Sequence, residues 1–334
     1  MAGKSGRTIS TESRDSGIKR FLKWETALIL VFVAVNVLGA ALSPYYKLSN
    51  ILRQMPQYLA EIFIMFPMGY ILIIADIDIS VGSIVCLSAT MACIAANAGA
   101  PIAVTFIISL LVGLACGMFN GLILTKFTEL PAMIVTLATQ IIFRGIAEIV
   151  LGSGGSISYS DTAGIKLLAT KIGSFPIIFF VLIAVGIVYI IVLAKTTFGR
   201  RLYAIGSNKT AAYYAGIGVQ KIRFICFSLA GLMSGLCAIF ITAYMYAANT
   251  TTGDGYEMDV IAMAVFGGIA STGGKGNLIG ATIAAFTIVC LRIGLGLINM
   301  NSQLILVIIG ALLVISVMIP GISQSFKERV KKTN

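Results

Sequence analysis

The chain has 334 residues, of which 58% are hydrophobic and 11% charged, with a net charge of +11 and a mean hydropathy of +0.98. That balance excludes an ordinary soluble domain, which needs polar faces to meet water. It also excludes a zinc site of the usual His/Cys kind: there is no histidine, and none of the six cysteines forms a CxxC pair.

The apolar runs are long and do not alternate with polar residues as outer-membrane strands do, so the expected fold class is an all-α polytopic membrane protein. Residues 1–25 are polar and basic, with Lys4, Arg7, Arg14, Lys19, Arg20 and Lys23. The run that follows lacks a small-residue cleavage signature and reads as a retained first span. The spans are expected at 26–42, 59–76, 80–98, 101–124, 132–151, 175–194, 222–247, 259–271, 277–298 and 302–319. Together they make a transmembrane domain over 26–319, followed by a tail at 320–334. A second basic cluster (Lys195, Arg200, Arg201, Lys209, Lys221, Arg223) follows the sixth span. A third (Lys327, Arg329, Lys331, Lys332) ends the sequence. Ten spans put all three clusters and both termini on the cytoplasmic side, which the positive-inside rule favours and which accounts for the charge without invoking nucleic acid.

Between the first two spans, "SPYYKLSNILRQMPQYL" is expected to hold a short interfacial helix with Asn50 as a possible cap. Pro67 and Gly69 are expected to interrupt the second span, either beside a pathway or for close helix packing. "ADIDISVGS" comes next, with Asp76 and Asp78 between two apolar runs. Tyr58 to Ala98 is 41 residues, and two spans of about 20 use nearly all of them. The stretch is therefore a tight turn or a break between helices. Asp78 or Ser80 could cap the helix through Val81 and Gly82, and a pathway role for the aspartates is the other reading.

In the fifth span Arg144 and Glu148 are four apart and share a helix face, which suits a structural ion pair first and a pathway role second. The segments 152–174 and 248–258 are Gly/Ser- or Thr-rich and belong on the opposite side from the basic loops. Asp254, Glu257 and Asp259 cluster at the start of the short eighth span. There they could dock a basic partner protein or simply suit the positive end of a helix. Arg292, in the ninth span, has no partner near it in sequence.

The central loop "KTTFGRRLYAIGSNKTAAYYAGIGVQKIR" carries a cap, helix and stop pattern. Ser207 or Asn208 starts about two turns, and Gly216 supplies the left-handed end. A short helix framed by basic residues suits the docking of a soluble partner. "GGIASTGGKGN" looks like a phosphate loop but fails its pattern: Ile269 stands where the first glycine belongs and Gly276 where Ser or Thr would bind magnesium.

"FGRRLYAIGSNKTAAYYAGI", "DIDISVGS", "FNGLILTKFTELPAMIVTLATQIIFRG" and "TGDGYEMDVIAMAVFGGIASTGGKGNLIG" together resemble the ribose-type sugar permeases of bacterial ABC importers. The likeness covers roughly 45–320; the wider superfamily includes branched-chain amino-acid permeases. It implies a multi-pass permease of the bacterial inner membrane that has no catalytic residues and binds no cofactor or metal of its own. ATP and magnesium would sit on a separate cytoplasmic ATPase. The other implied partners are a second permease copy or paralogue, an extracytoplasmic substrate-binding protein and membrane lipid. Within the coupling loop 195–221, Asn208, Ala211, Ala212 and Gly216 match the family's ATPase-contacting positions. Two rival readings are a branched-chain amino-acid permease and an ion-coupled carrier using Asp76, Asp78 and Glu148.

Overall fold

The computed structural model describes residues 15–159, 163–311 and 314, with side chains described from residue 24 onward except at 163. The first six expected basic positions (apart from Lys19, Arg20 and Lys23 of the backbone), the C-terminal cluster and the end of the tenth span lie outside the described residues. The chain is an all-α polytopic membrane protein. Its helices are α1 (Asp15–Leu42), α2 (Leu48–Ile73), α3 (Val81–Asn97), α4 (Ile102–Lys126), α5 (Ala132–Leu151), α6 (Ala163–Lys166), α7 (Ile177–Lys195), α8 (Thr197–Ser207), α9 (Lys209–Tyr214), α10 (Val219–Met245), α11 (Tyr256–Phe266), α12 (Leu278–Leu297) and α13 (Ser302–Ala311). Among the described residues seven of these are long and apolar enough to cross a membrane; α3 and the described part of α13 are shorter apolar helices. Seven of the ten expected spans are thus met by helices of crossing length, and 80–98, 259–271 and the described part of 302–319 by shorter ones. Among the described residues there are also two small antiparallel ribbons: β1 (Ser156–Ser158) pairs with β4 (Ala247–Asn249), and β2 (Lys171–Ile172) with β3 (Phe175–Pro176).

α2 is the hub. It is buried from Leu59 through Ile73 and packs on α7, α10, α11 and α12. Lipid is as apolar as leucine, so burial alone does not hold such helices together; close van der Waals contact must. The sequence provides for it with small residues. Gly113, Gly117 and Gly121 of α4 face Gly231, Gly235 and Phe224 of α10, and a methyl on Gly113 or Gly231 would run into the other's carbonyl oxygen. Ser109 Oγ donates to the Gly235 carbonyl at 2.8 Å across the same seam. The lipid-type faces lie outside, as at Ile141 and Ile149 of α5.

Two local expectations are corrected. α2 is one helix from Leu48, with Pro56 and Pro67 inside it, so there is no separate interfacial helix. Asn50 is not its cap: position 47 is, and Asn50 Nδ2 donates back to the Tyr45 carbonyl at 2.9 Å. Nor do Pro67 and Gly69 interrupt the helix. A proline removes one backbone hydrogen bond, but α2 is enclosed by its neighbours there, and Gly69 leaves the space that Leu278 and Ile269 fill.

The two ends of the bundle differ. One carries α8, α9, the turn after α2 and the start of α10; it is called here the basic end. The other carries both ribbons and is the ribbon end. From the ribbon end, β4 leads inward and the chain turns at 250–255 into α11, which runs to the basic end. There Gly267 packs against Gly280 and Ala281, at the start of α12. With 11 residues, α11 is about 16 Å long, half of a roughly 30 Å hydrocarbon core. It is a half-helix whose N-terminus lies near the middle of the bundle.

Candidate functional site

The turn after α2 is an element of the basic end. α2 closes with Ala75 in the left-handed region (φ 63°), Ala75 N bonded to the Leu72 carbonyl and Asp76 N to that of Ile71. This is a Schellman stop with alanine where glycine is usual. Asp76 then receives two hydrogen bonds from Arg223 of α10, from Nε at 2.5 Å and Nη2 at 3.1 Å, while Arg223 Nη1 donates to the Leu124 carbonyl at the end of α4 at 2.8 Å. Three helix ends meet on one guanidinium, and Arg223 is buried. Asp78 is fully buried. Its Oδ1 accepts from the backbone N–H and the hydroxyl of Ser80 at 2.9 and 2.7 Å, and Asn120 Nδ2 donates to Ser80 Oγ at 2.8 Å. Ser80 occupies the cap position of α3 but makes no side-chain cap bond to that helix; Asp78 instead holds Ser80. The two aspartates therefore serve different neighbours, one pairing a distant cation and one ordering its own turn.

Next to this turn lies a junction of backbones. Gly274 N donates to the Ile73 carbonyl at 2.8 Å, and a methyl on Gly206 of α8 would run into both groups. Tyr203 OH donates to the Gly276 carbonyl at 2.8 Å. The phosphate-loop look-alike is thus a strap joining α2 to α8. α9 follows. Asn208 Oδ1 accepts from Ala211 N at 2.9 Å, and Gly216 (φ 78°) ends the helix with Gly216 N on the Tyr213 carbonyl and Ile217 N on that of Ala212. Ala212 is buried beneath it, whereas Tyr213 and Tyr214 stack edge-on, exposed. Burial, with Arg223 nearby, holds the Lys209 ammonium below the ordinary lysine range.

At mid-bundle, the expected pair of Arg144 with Glu148 is absent. Arg144 Nη1 donates to the Thr250 and Thr252 carbonyls at 2.8 and 2.9 Å, and Nη2 stands 4.0 Å from Asp254; Glu148 is exposed on α5. Two charge-assisted hydrogen bonds to the part-buried Thr250 and Thr252 carbonyls outweigh an exposed ion pair, which is worth little. Gln140 Nε2 donates to Glu257 Oε1 at 3.3 Å. Gly82 of α3 abuts Gly253 and Glu257 so closely that a methyl would not fit.

The three acids of this segment do not act together: Asp254 and Glu257 turn to α5, while Asp259 turns to α12. There Arg292 Nη2 donates to Asp259 Oδ1 at 2.5 Å, with Nη1 3.5 Å from Glu61 Oε1 of α2. Arg292, without a near partner in sequence, thus has two carboxylates in space. Glu61 escaped the sequence reading. Its signal was plain, a single acid inside the apolar run 59–75, and such residues in a span mark pairs or pathways.

A bundle of apolar helices around a half-helix flanked by charged side chains, with two short helices strapped to its hub at one end, defines a multi-pass membrane transport protein. The chain belongs to the family described as branched-chain amino acid transport system / permease component, whose profile matches residues 57–317. It is 32% identical over 302 residues to the ribose import permease protein RbsC of Bacillus subtilis (strain 168), covering 87% of this chain and 90% of that one. It is 30% identical over 300 residues to RbsC of Haemophilus influenzae, with 88% and 92% covered. With the autoinducer 2 import system permease protein LsrD of Klebsiella pneumoniae it shares 28% over 307 residues, with 90% and 92% covered. No solved structure gives a significant match. These relatives are permease subunits, and a bacterial inner membrane fits such import permeases.

Proposed function

We propose that this chain is the transmembrane subunit of an ATP-binding-cassette importer that brings a monosaccharide or related small polyhydroxy solute into the cell. The observation that carries this is α9: a capped, stopped helix presenting two exposed tyrosines and strapped through α8 to the hub of the bundle. Such a helix is built to receive force from outside the membrane. The solute class rests on the relatives, which are named for ribose and autoinducer 2 import; the family's own description keeps a branched-chain amino acid as the alternative.

On this reading the basic end is cytoplasmic, ten helices cross or enter the membrane and both termini are cytoplasmic. ATP and magnesium are bound and ATP is hydrolysed by a separate ATPase chain seated on Asn208, Ala211, Ala212 and Gly216. A second permease copy or paralogue completes the pathway, and a substrate-binding protein delivers solute at the ribbon end. ATPase closure pushes α9; α8 and the 267–277 strap pass the displacement to α2 and α12; the bundle opens to the other side and solute leaves the binding protein. No covalent intermediate forms on this chain. An ion-coupled carrier is the weaker reading, since Asp76 is held by Arg223 and Asp78 by Ser80.

The test is reconstitution in vesicles with the partner ATPase and binding protein. Uptake of D-ribose or another monosaccharide that needs both partners and ATP is expected; uptake by the lone chain driven by an ion gradient would refute it.

A further inference from the structure

We propose that the solute crosses the middle of the membrane against the N-terminal end of α11, where Gln140, Arg144, Asp254 and Glu257 form a weak contact site for a neutral polyhydroxy compound. This rests on the permease reading above and adds the place and chemistry of passage.

Depth is the first observation. Arg144 lies 12 residues into α5, about 18 Å from its basic end at 1.5 Å per residue. α11 independently puts Glu257 about half the core thickness from the same end. At that depth the Asp254 side chain is 73% exposed and stands beside Arg144. Thr251 is exposed next to it. An open carboxylate facing lipid at mid-depth is costly, and irregular backbone such as the 250–255 turn survives there only inside protein or beside water. This face therefore borders an aqueous path.

Chemistry is the second. Glu257 is 6% exposed; its Oε1 takes the Gln140 amide, but its buried Oε2 has no hydrogen-bond partner. A glycine at 82 is what lets this carboxylate lie where it does. Arg144 spends Nη1 on two carbonyls and keeps Nη2 only loosely near Asp254. The unpartnered acceptor of Glu257 and the open carboxylate of Asp254 thus stand on either side of the Arg144 guanidinium, a donor group. A hydroxyl both donates and accepts, so a row of alternating acceptors and donors fits a polyol better than an ion of either sign. The backbone N–H groups at the start of α11 add a partial positive charge to the same spot.

Two measurements decide it. In the first, Asp254→Cys and Thr251→Cys, made separately, are exposed to a membrane-impermeant maleimide in vesicles carrying the full transporter. The six native cysteines are buried, so the background is low. Both are expected to label, while Ile141→Cys on the lipid-type face of α5, 74% exposed, is not. In the second, Glu257→Gln is expected to lower the uptake rate of D-ribose, or of whichever monosaccharide the wild type carries, by about tenfold to a hundredfold, as for a lost hydrogen bond to a charged group. Protein level and binding-protein-stimulated ATP hydrolysis are expected to stay. Asp254→Cys and Thr251→Cys as inert as Ile141→Cys, or Glu257→Gln transporting at the wild-type rate, overturns the proposal. A wild type that moves no monosaccharide with ATP and both partners refutes the importer reading instead, while the labelling still reports whether this face is wet.

Discussion

Arg223 grips Asp76 across 147 residues of sequence, and the same guanidinium holds the Leu124 carbonyl. The ends of α2, α4 and α10 are therefore tied at one point. Removing one partner of a buried pair strands the other, at a cost of about 3–5 kcal/mol. Arg223→Ala and Asp76→Asn are each expected to lower the melting temperature of the purified protein and its abundance in the membrane. The double variant Arg223→Met/Asp76→Leu should recover much of the loss, measured as melting temperature in detergent. If both single variants melt like the wild type, the pair is not holding the helix ends together.

A second buried network sits higher in the bundle. Arg292→Ala leaves Glu61 and Asp259 facing each other without a cation, and a similar loss of about 3–5 kcal/mol is expected. Arg292→Met combined with Glu61→Gln and Asp259→Asn should be far milder than Arg292→Ala alone. Thermal unfolding of the three proteins orders them; a triple variant as weak as the single one would assign the loss to packing rather than to charge.

Glycine substitutions separate two uses of one residue type. Gly206→Ala pushes a methyl into the Ile73 carbonyl and the Gly274 backbone, neither of which is a flexible side-chain end. It is expected to detach α8 from α2, abolishing ATP-driven uptake, with protease sensitivity appearing near residues 196–208. Gly296→Ala has open space around it and should leave stability unchanged or raise it by up to about 1 kcal/mol. Limited proteolysis and melting curves on the two variants side by side check both.

α9 should be separable from the fold. Tyr213 and Tyr214 are exposed, and truncating exposed residues typically moves stability by no more than about 0.5 kcal/mol. Tyr213→Ala/Tyr214→Ala is expected to melt like the wild type yet capture less of its ATPase in a pull-down and transport more slowly. Equal capture and equal uptake would remove the tyrosines from the docking surface.

Much of the architecture was legible because membrane helices announce themselves by length and apolarity: seven of the ten expected spans are met by helices of crossing length, and the Asn208 cap and Gly216 stop of α9 could be read from local chemistry. What was not legible depends on three-dimensional neighbours. Arg144 and Glu148 have the right spacing to pair, but the stronger claim on Arg144 is made by carbonyls more than a hundred residues away. Asp254, Glu257 and Asp259 look like one acidic cluster in sequence, yet the helical turn of α11 sends Asp259 to α12 and Glu257 to α5. Periodicity gives each helix its faces; it does not say which helix stands opposite.

The core of the strap between α2 and α8 is main chain, Gly274 N on the Ile73 carbonyl with Gly206 of α8 packed directly against both, and only the Tyr203 hydroxyl on the Gly276 carbonyl adds a side chain to it. Main-chain joints do not change rotamer, so they have no slack to absorb a push. A displacement of the short helices at the basic end must therefore appear at α2 almost undiminished, as a key turns a lock barrel rather than as a spring takes up a load. Tuning of this machine by evolution or design then belongs to the side-chain contacts further up the bundle, where geometry can give, and not to the joint itself.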